Sequence, residues 1–148
     1  MSIHNCTTLP HRYHFWTINA FHNNEYTQVV FSARRMLDHS QKYVYTYPIW
    51  GGHDVSWTKN LFSGGSWSAL EPYDNFWCTY HHDIEAGMAH VGDVRVIPGS
   101  KWFAYGSGDR ANYYGACMSD EDGPYIEVDS GSDITQIGFR RLSPLGSH

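Results

Sequence analysis

YDNFWCTYHHDIEAGMAHVGDVRVIPGSKWFAYGSGDRANYYGACMSDEDGPYIEV, residues 73–128, decides how this chain folds. β-Branched and aromatic residues recur in short runs, cut at close intervals by Gly, Pro, Asn and Asp, a pattern of strands and turns rather than of helices. The strands expected within it are Phe76 to His82, Gly87 to Val91, Arg95 to Ile97, Lys101 to Tyr105 and Tyr125 to Val128. Pro98-Gly99 marks a turn, and Asp120-Glu121-Asp122-Gly123-Pro124 is a polar turn feeding the last strand. Working upstream, strands are expected at Tyr13 to Ile18, Thr27 to Ser32 and Tyr43 to Tyr47. One short helical turn is expected over Ala33 to Ser40, and a loop at Ser63-Gly64-Gly65-Ser66. Many short strands with turn signals between them predict an all-β, antiparallel β-sandwich.

At 148 residues the chain is the size of a single domain, 1–148, able to bury a core without disulfide or metal staples. Aromatic residues (16%) nearly match charged ones (17%), so contact surface is supplied by rings as much as by ions. A formal net charge of -5, with no Lys/Arg cluster beyond Arg34-Arg35 and Arg140-Arg141, gives no footprint for phosphate backbones, and nucleic acid is not expected as a partner. No segment approaches the roughly 20 apolar residues of a membrane helix, so no membrane partner is expected, and no targeting signal is read. Cys6, Cys78 and Cys117 are odd in number and lack a C-x-x-C spacing, which signals neither a disulfide framework nor a thiolate zinc site; they read as buried small hydrophobes.

Alternation assigns faces. In Tyr125-Ile126-Glu127-Val128 the two aliphatic residues fall on one side of a strand, which turns Tyr125 and Glu127 to the other. Glu127 then reads as a general base, an acceptor for ligand hydroxyls, or a solvated strand carboxylate. The same counting puts Tyr80 and His82 on one side of their strand and His81 and Asp83 on the other, so only one of the adjacent histidines serves a given cleft. His81, His82 and His90 read as an acid, a hydroxyl-binding group or polar surface. A metal site is not expected, because alternation splits the adjacent pair and no H-x-H pair occurs. Trp50-Gly51-Gly52-His53-Asp54 combines a flat ring, two glycines and a polar pair, and reads either as a loop over a ligand or as a plain turn. No nucleophile elbow, phosphate-binding glycine loop or Ser/His/Asp series appears.

Taken in order, the phrases NCTTLPHRYHFWTINA, YTYPIWGGHDVSW, YHHDIEAGMAHVGD, IPGSKWFAYG and SDEDGPYIEVDSG, spanning about Asn5 to Gly131, resemble a bacterial domain of unknown function. That domain often sits ahead of tetratricopeptide repeats and is related in fold to the galactose mutarotases. Tyr80, His82, Ala86, Gly87, His90, Val91 and Asp93 match its middle motif, with His81 standing at the usual acid and Gly92 at the usual alanine. Asp122, Gly123, Pro124, Tyr125 and Glu127 match its most diagnostic phrase.

The resemblance implies a galactose-mutarotase-like β-supersandwich that binds a mono- or oligosaccharide on a broad sheet face, without metal or organic cofactor. It carries the acid role to His82 and the base role to Glu127, with Asp54, His90, Tyr125, Trp50 and Tyr80 as sugar contacts. An epimerase- or glycosidase-type reaction follows if acid and base face one cavity; a glycosidase would pair Glu127 with Asp54 or Asp93. A non-catalytic glycan-binding or assembly module follows if they lie on different surfaces, and a cupin-like metal protein is the third reading. Because a complete supersandwich is longer, the chain reads as a central slice or a minimal version of it, and homo-oligomer formation through exposed sheet edges is expected.

Overall fold

A computed structural model describes residues 2–146. In chain order the strands are β1 (His11–Tyr13), β2 (Trp16–His22), β3 (Thr27–Phe31), β4 (Arg35–Asp38), β5 (Val44–Thr46), β6 (Ile49–Trp50) and β7 (His53–Asp54). They continue with β8 (Gly65–Leu70), β9 (Phe76–His81), β10 (Ala86–Val91), β11 (Gly99–Ala104), helix α1 (Asp109–Met118), β12 (Tyr125–Gly131) and β13 (Arg140–Leu142). A six-stranded sheet runs β2-β12-β11-β8-β4-β5 and a three-stranded sheet runs β10-β9-β3, with every pairing antiparallel. The fold is all-β and layered as a sandwich, with β6 and β7 as a small hairpin at its side.

The period of two along each strand builds the core. On the large sheet the registers Ile126↔Phe21, Trp102↔Val128, Trp102↔Trp67 and Met36↔Ala69 set one continuous apolar face. On the small sheet Val29↔Thr79 and Phe31↔Trp77 set the facing one. Val29, Phe31, Met36, Trp67, Trp77, Trp102, Ile126 and Val128 belong to one buried cluster, so the two sheets share a single core. Trp67 and Trp102 lie 4.6 Å apart at 36°, and Phe31 meets Trp77 edge-on at 6.4 Å. Such offset and edge-on ring contacts add to the free energy of burial.

β12, the strand carrying Glu127, is internal, between β2 and β11. The free edge of β3 is covered by a bridge between Gln28 and Trp57 and by Val29 N–H donating to Ser56 O at 2.7 Å. The two terminal segments pair with each other through β1 and β13, through Asn5 N–H to Gly146 O (2.8 Å), and through Leu145 N–H to Thr7 O (3.0 Å).

Four expectations are corrected. Ala33 to Ser40 forms no helical turn: Arg35–Asp38 is strand β4, because Met36 reaches the core and both flanks pair, with β5 and β8. Arg95 to Ile97 is a turn rather than a strand, since Asp93 O accepts from the amides of Val96 (2.9 Å) and Ile97 (2.8 Å) and its carboxylate from that of Arg95 (2.9 Å). Gly65 and Ser66 open strand β8 instead of closing a loop. Cys6 and Cys117 are exposed and Cys78 half-buried, so none is a fully enclosed hydrophobe.

Trp102 has no exposed surface. Trp102→Ala is expected to lower unfolding free energy by about 3–5 kcal/mol through lost burial and the cavity left behind, read as a shifted urea midpoint at unchanged slope.

Candidate functional site

The side of the large sheet turned away from the core carries the residues of opposite parity. Tyr125, Glu127 and Asp129 of β12 stand in register with His22, Ala20 and Ile18 of β2 on one flank. Phe103 and Lys101 of β11 stand opposite Glu127 and Asp129 on the other. The strand runs beyond Val128, and this extension gives Glu127 an acidic neighbour on its own face, Asp129.

Two electrostatic environments share this face. At one end Lys101 Nζ lies 2.6 Å from Asp129 Oδ2 and donates to Gln136 Oε1 at 2.9 Å; the two side chains are 5% and 0% exposed. Trp16 helps enclose the pair: its ring lies 6.0 Å from Lys101 Nζ and packs onto Gly131 so closely that a Cβ there would sit 2.2 Å from the indole. Asp129 Oδ1 receives no hydrogen bond from protein, and burial raises the Asp129 pKa against the opposing pull of Lys101.

At the other end Phe103, Tyr105 and Tyr125 form a ring cluster with centroids 5.0 to 6.3 Å apart, and Glu127 stands beside it. The Glu127 side chain is half-buried, and its carboxylate makes no hydrogen bond with protein among the described residues. Burial raises its pKa, the Asp129 charge adds to the rise, and Lys101 opposes it. Burial also pushes the Tyr105 phenol well above its usual range, with Tyr125 and Glu127 adding to the effect and Ser119 opposing it. Helix α1 and the turn over residues 119–124 flank this end: Tyr114 and Met118 share a cleft with Phe103 and Ser66. Gly123, at φ +82, closes that turn by donating to Asp120 O at 3.1 Å.

His82 is not on this face. It extends the outer side of the small sheet, where it stacks on Trp57 (4.6 Å, 25°), meets Tyr80 edge-on (4.8 Å) and lies 3.0 Å from Gln28 Oε1. Gln28 in turn donates to Ser56 Oγ (3.2 Å), which donates to Asp54 Oδ1 (2.6 Å), so Tyr80, His82 and Asp54 form one constellation. Both sheets and the core separate it from Glu127. His90 points to the core side of β10, 5.9 Å from Trp77, where burial lowers its pKa and leaves Nε2 unpartnered. Trp50, in the β6–β7 hairpin, packs on Tyr45 of β5 at 4.4 Å. Asp93 sits on an exposed turn, forked by Arg95 (2.6 Å) and held down to about 2 by those hydrogen bonds, so it accompanies neither group.

Among the described residues no three His, Cys, Asp or Glu side chains converge as a metal site requires. Sequence reasoning missed Lys101, Asp129 and Tyr105. Parity could have found them, since residues 101, 103 and 105 alternate with Trp102 and Ala104, as residues 125, 127 and 129 do with Ile126 and Val128.

A family model described as "Domain of unknown function (DUF5107)" matches residues 2–147. The chain belongs to this family. Two solved structures share the fold of this DUF5107 domain. One is a TPR-domain containing protein from Parabacteroides distasonis, with TM-score 0.84 and 18% identity over 99% of this chain and 25% of that one. The other is the Slr1438 protein from Synechocystis sp., with TM-score 0.70 and 10% identity over 99% of this chain and 45% of that one. The domain thus spans less than half the length of either relative.

Two outcomes follow from these environments. Asp129→Ala leaves the Lys101 ammonium buried without its counter-charge and is expected to cost about 3–5 kcal/mol, whereas Lys101→Met with Asp129→Leu stays far closer to wild type in urea unfolding. A carboxyl whose native pKa is raised holds its proton more tightly when folded, so its stabilising contribution is complete below the ordinary value of 4.5 and is lost as pH climbs through the native one. Glu127→Gln should therefore be more stable than wild type at neutral pH, with the difference shrinking toward pH ~4, measured as paired urea midpoints.

Proposed function

We propose that this domain is a glycan-binding module of galactose-mutarotase-like architecture, which holds a mono- or oligosaccharide on the outer face of the large sheet. The observation that carries this reading is Glu127: a half-buried carboxylate with no protein hydrogen-bond donor, beside the Phe103–Tyr105–Tyr125 rings. A carboxylate offers up to four acceptor directions, and paired sugar hydroxyls fill them while the C–H faces of the sugar lie against aromatic surface. A neutral ligand suits the site, because Lys101 is already committed to Asp129 and Gln136.

Binding is favoured over turnover on geometric grounds. Epimerisation at a sugar carbon needs an acid and a base within reach of the same substrate, and His82 belongs to the other sheet. A glycosidase needs two carboxyl groups flanking one bond, and Asp129, the nearest acid in register, is fully enclosed with Lys101. His82, Tyr80 and Asp54 are therefore assigned no part in sugar chemistry on this face.

The test is a glycan array on the purified domain followed by calorimetric titration of each hit. At least one neutral glycan should bind, and Glu127→Gln should weaken it by about 1.5–3 kcal/mol, the worth of a charge-assisted hydrogen bond, while His82→Gln leaves the affinity unchanged. A Glu127→Gln variant that binds every hit as tightly as wild type would remove the site.

A further inference from the structure

Helix α1 rests on empty space. Of its ten residues only Ala111 and Gly115 are buried, one turn apart on the face toward the sheet, and both are too small to fill the gap beneath them. A cleft of about 510 Å³ lies there, between α1 on one side and the loops carrying Asn23 and Thr58 on the other. That volume falls within the range of roughly 300–1,000 Å³ usual for small-molecule sites. A Cβ built on Gly115 would meet no atom within 4 Å, so the space continues up to the helix backbone itself.

The chemistry of the walls narrows the occupant. Tyr105 and Ser119 line the cleft but keep their hydroxyls buried in its wall beside one another, whereas the side-chain carboxamide of Asn112, on α1, is exposed and makes no hydrogen bond with protein among the described residues. Thr58, also in the wall, is buried and already donates to Asn23 Oδ1 at 2.8 Å. The charged lining residues Glu25, Lys59 and Asp120 are all exposed, at the rim. An ionic ligand would thus surrender its hydration with no counter-charge inside, and a purely apolar one would strip water from the Asn112 carboxamide and leave it unmatched. A neutral molecule with several hydroxyl groups meets both conditions.

We propose that the cleft beneath α1 is a second binding site, which takes a single neutral, hydroxyl-rich ring of monosaccharide size and uses α1 as its roof. The site is separate from the Glu127 face and does not depend on it, although Tyr105 connects the two by packing 5.3 Å from Tyr125.

The experiment titrates glucose, galactose, mannose, fucose, N-acetylglucosamine and myo-inositol, with glucuronate as a charged comparator, against the whole chain by ligand-observed NMR. Gly115→Phe sets its Cβ where no atom lies within 4 Å, on the wall of the cleft, and Phe is a better helix former than Gly, so its melting temperature should not fall. Expected are binding of at least one neutral ring, weaker binding of glucuronate, and at least tenfold loss in Gly115→Phe. Should Gly115→Phe melt early, Asn112→Ala, which deletes only a lining carboxamide and leaves a better helix former, decides instead by a severalfold loss. Titration of Glu127→Gln separates the sites: binding that survives it and is lost in Gly115→Phe belongs to the cleft. Binding lost in Glu127→Gln and kept in Gly115→Phe overturns the cleft site, as does a wild-type chain that binds none of these rings.

Discussion

The inward ring of Trp102 governs the orientation of the large sheet. It has no exposed surface, stands in register with Trp67 on β8 and Val128 on β12, and lies in the core shared with Val29, Phe31 and Trp77. A strand slipped by one residue would turn this ring to solvent and bring Lys101 or Phe103 into the core. Large apolar burial in the correct register is worth several kcal/mol, and the cost of burying Lys101 against apolar rings is of comparable size with opposite sign. The same constraint that packs Trp102 inward therefore places Lys101, Phe103, Tyr125, Glu127 and Asp129 together on the outside.

Once fixed there, Lys101 and Asp129 create a problem that the chain answers locally. Two charges removed from water lose more than their attraction returns unless their remaining hydrogen-bonding capacity is used. Gln136 Oε1 accepts one hydrogen bond from the ammonium, Trp16 covers the pair, and Gly131 lets the indole approach. Asp129 Oδ1 stays unmatched, and its field is what Glu127 feels two residues along the strand. The pair acts as scaffold for the face and as an electrostatic bias on its one open carboxylate.

The layering and both key parities were legible because period-two alternation in 76–82 and 125–128 is a local signal. What escaped has local signals that mislead. Val94, Val96 and Ile97 have strand propensity, yet the carbonyl and carboxylate of Asp93 capture the following amides in a turn. Helix α1 is marked only by Gly108 before it and an acid, Asp109, in its first turn; its buried stripe is Ala111 and Gly115, which a search for large apolar residues at helical spacing passes over. Which sheet each motif joins is a long-range fact. His82 and Glu127 are both turned outward by alternation, and nothing in their own strands says that the two outward directions are opposite.

That opposition bears on function more than any single contact. Packed sheets stand roughly 10 Å apart, and side chains pointing outward from each add their own length, so two such groups are separated by far more than the span of a sugar ring. Binding requires only one of these faces; proton transfer across a ring requires both groups on the same one. The small sheet's Tyr80–His82–Trp57 cluster is held together internally, by stacking, by Gln28 and through Ser56 by Asp54, whereas the carboxylate of Glu127 has no such internal partner. A surface whose polar groups already satisfy one another gains little from a ligand, and a surface that leaves an unpaired, half-buried carboxylate among rings gains a great deal. The asymmetry between the two faces, rather than the presence of histidines and acids in the sequence, is what favours the β12 side for the proposed sugar site.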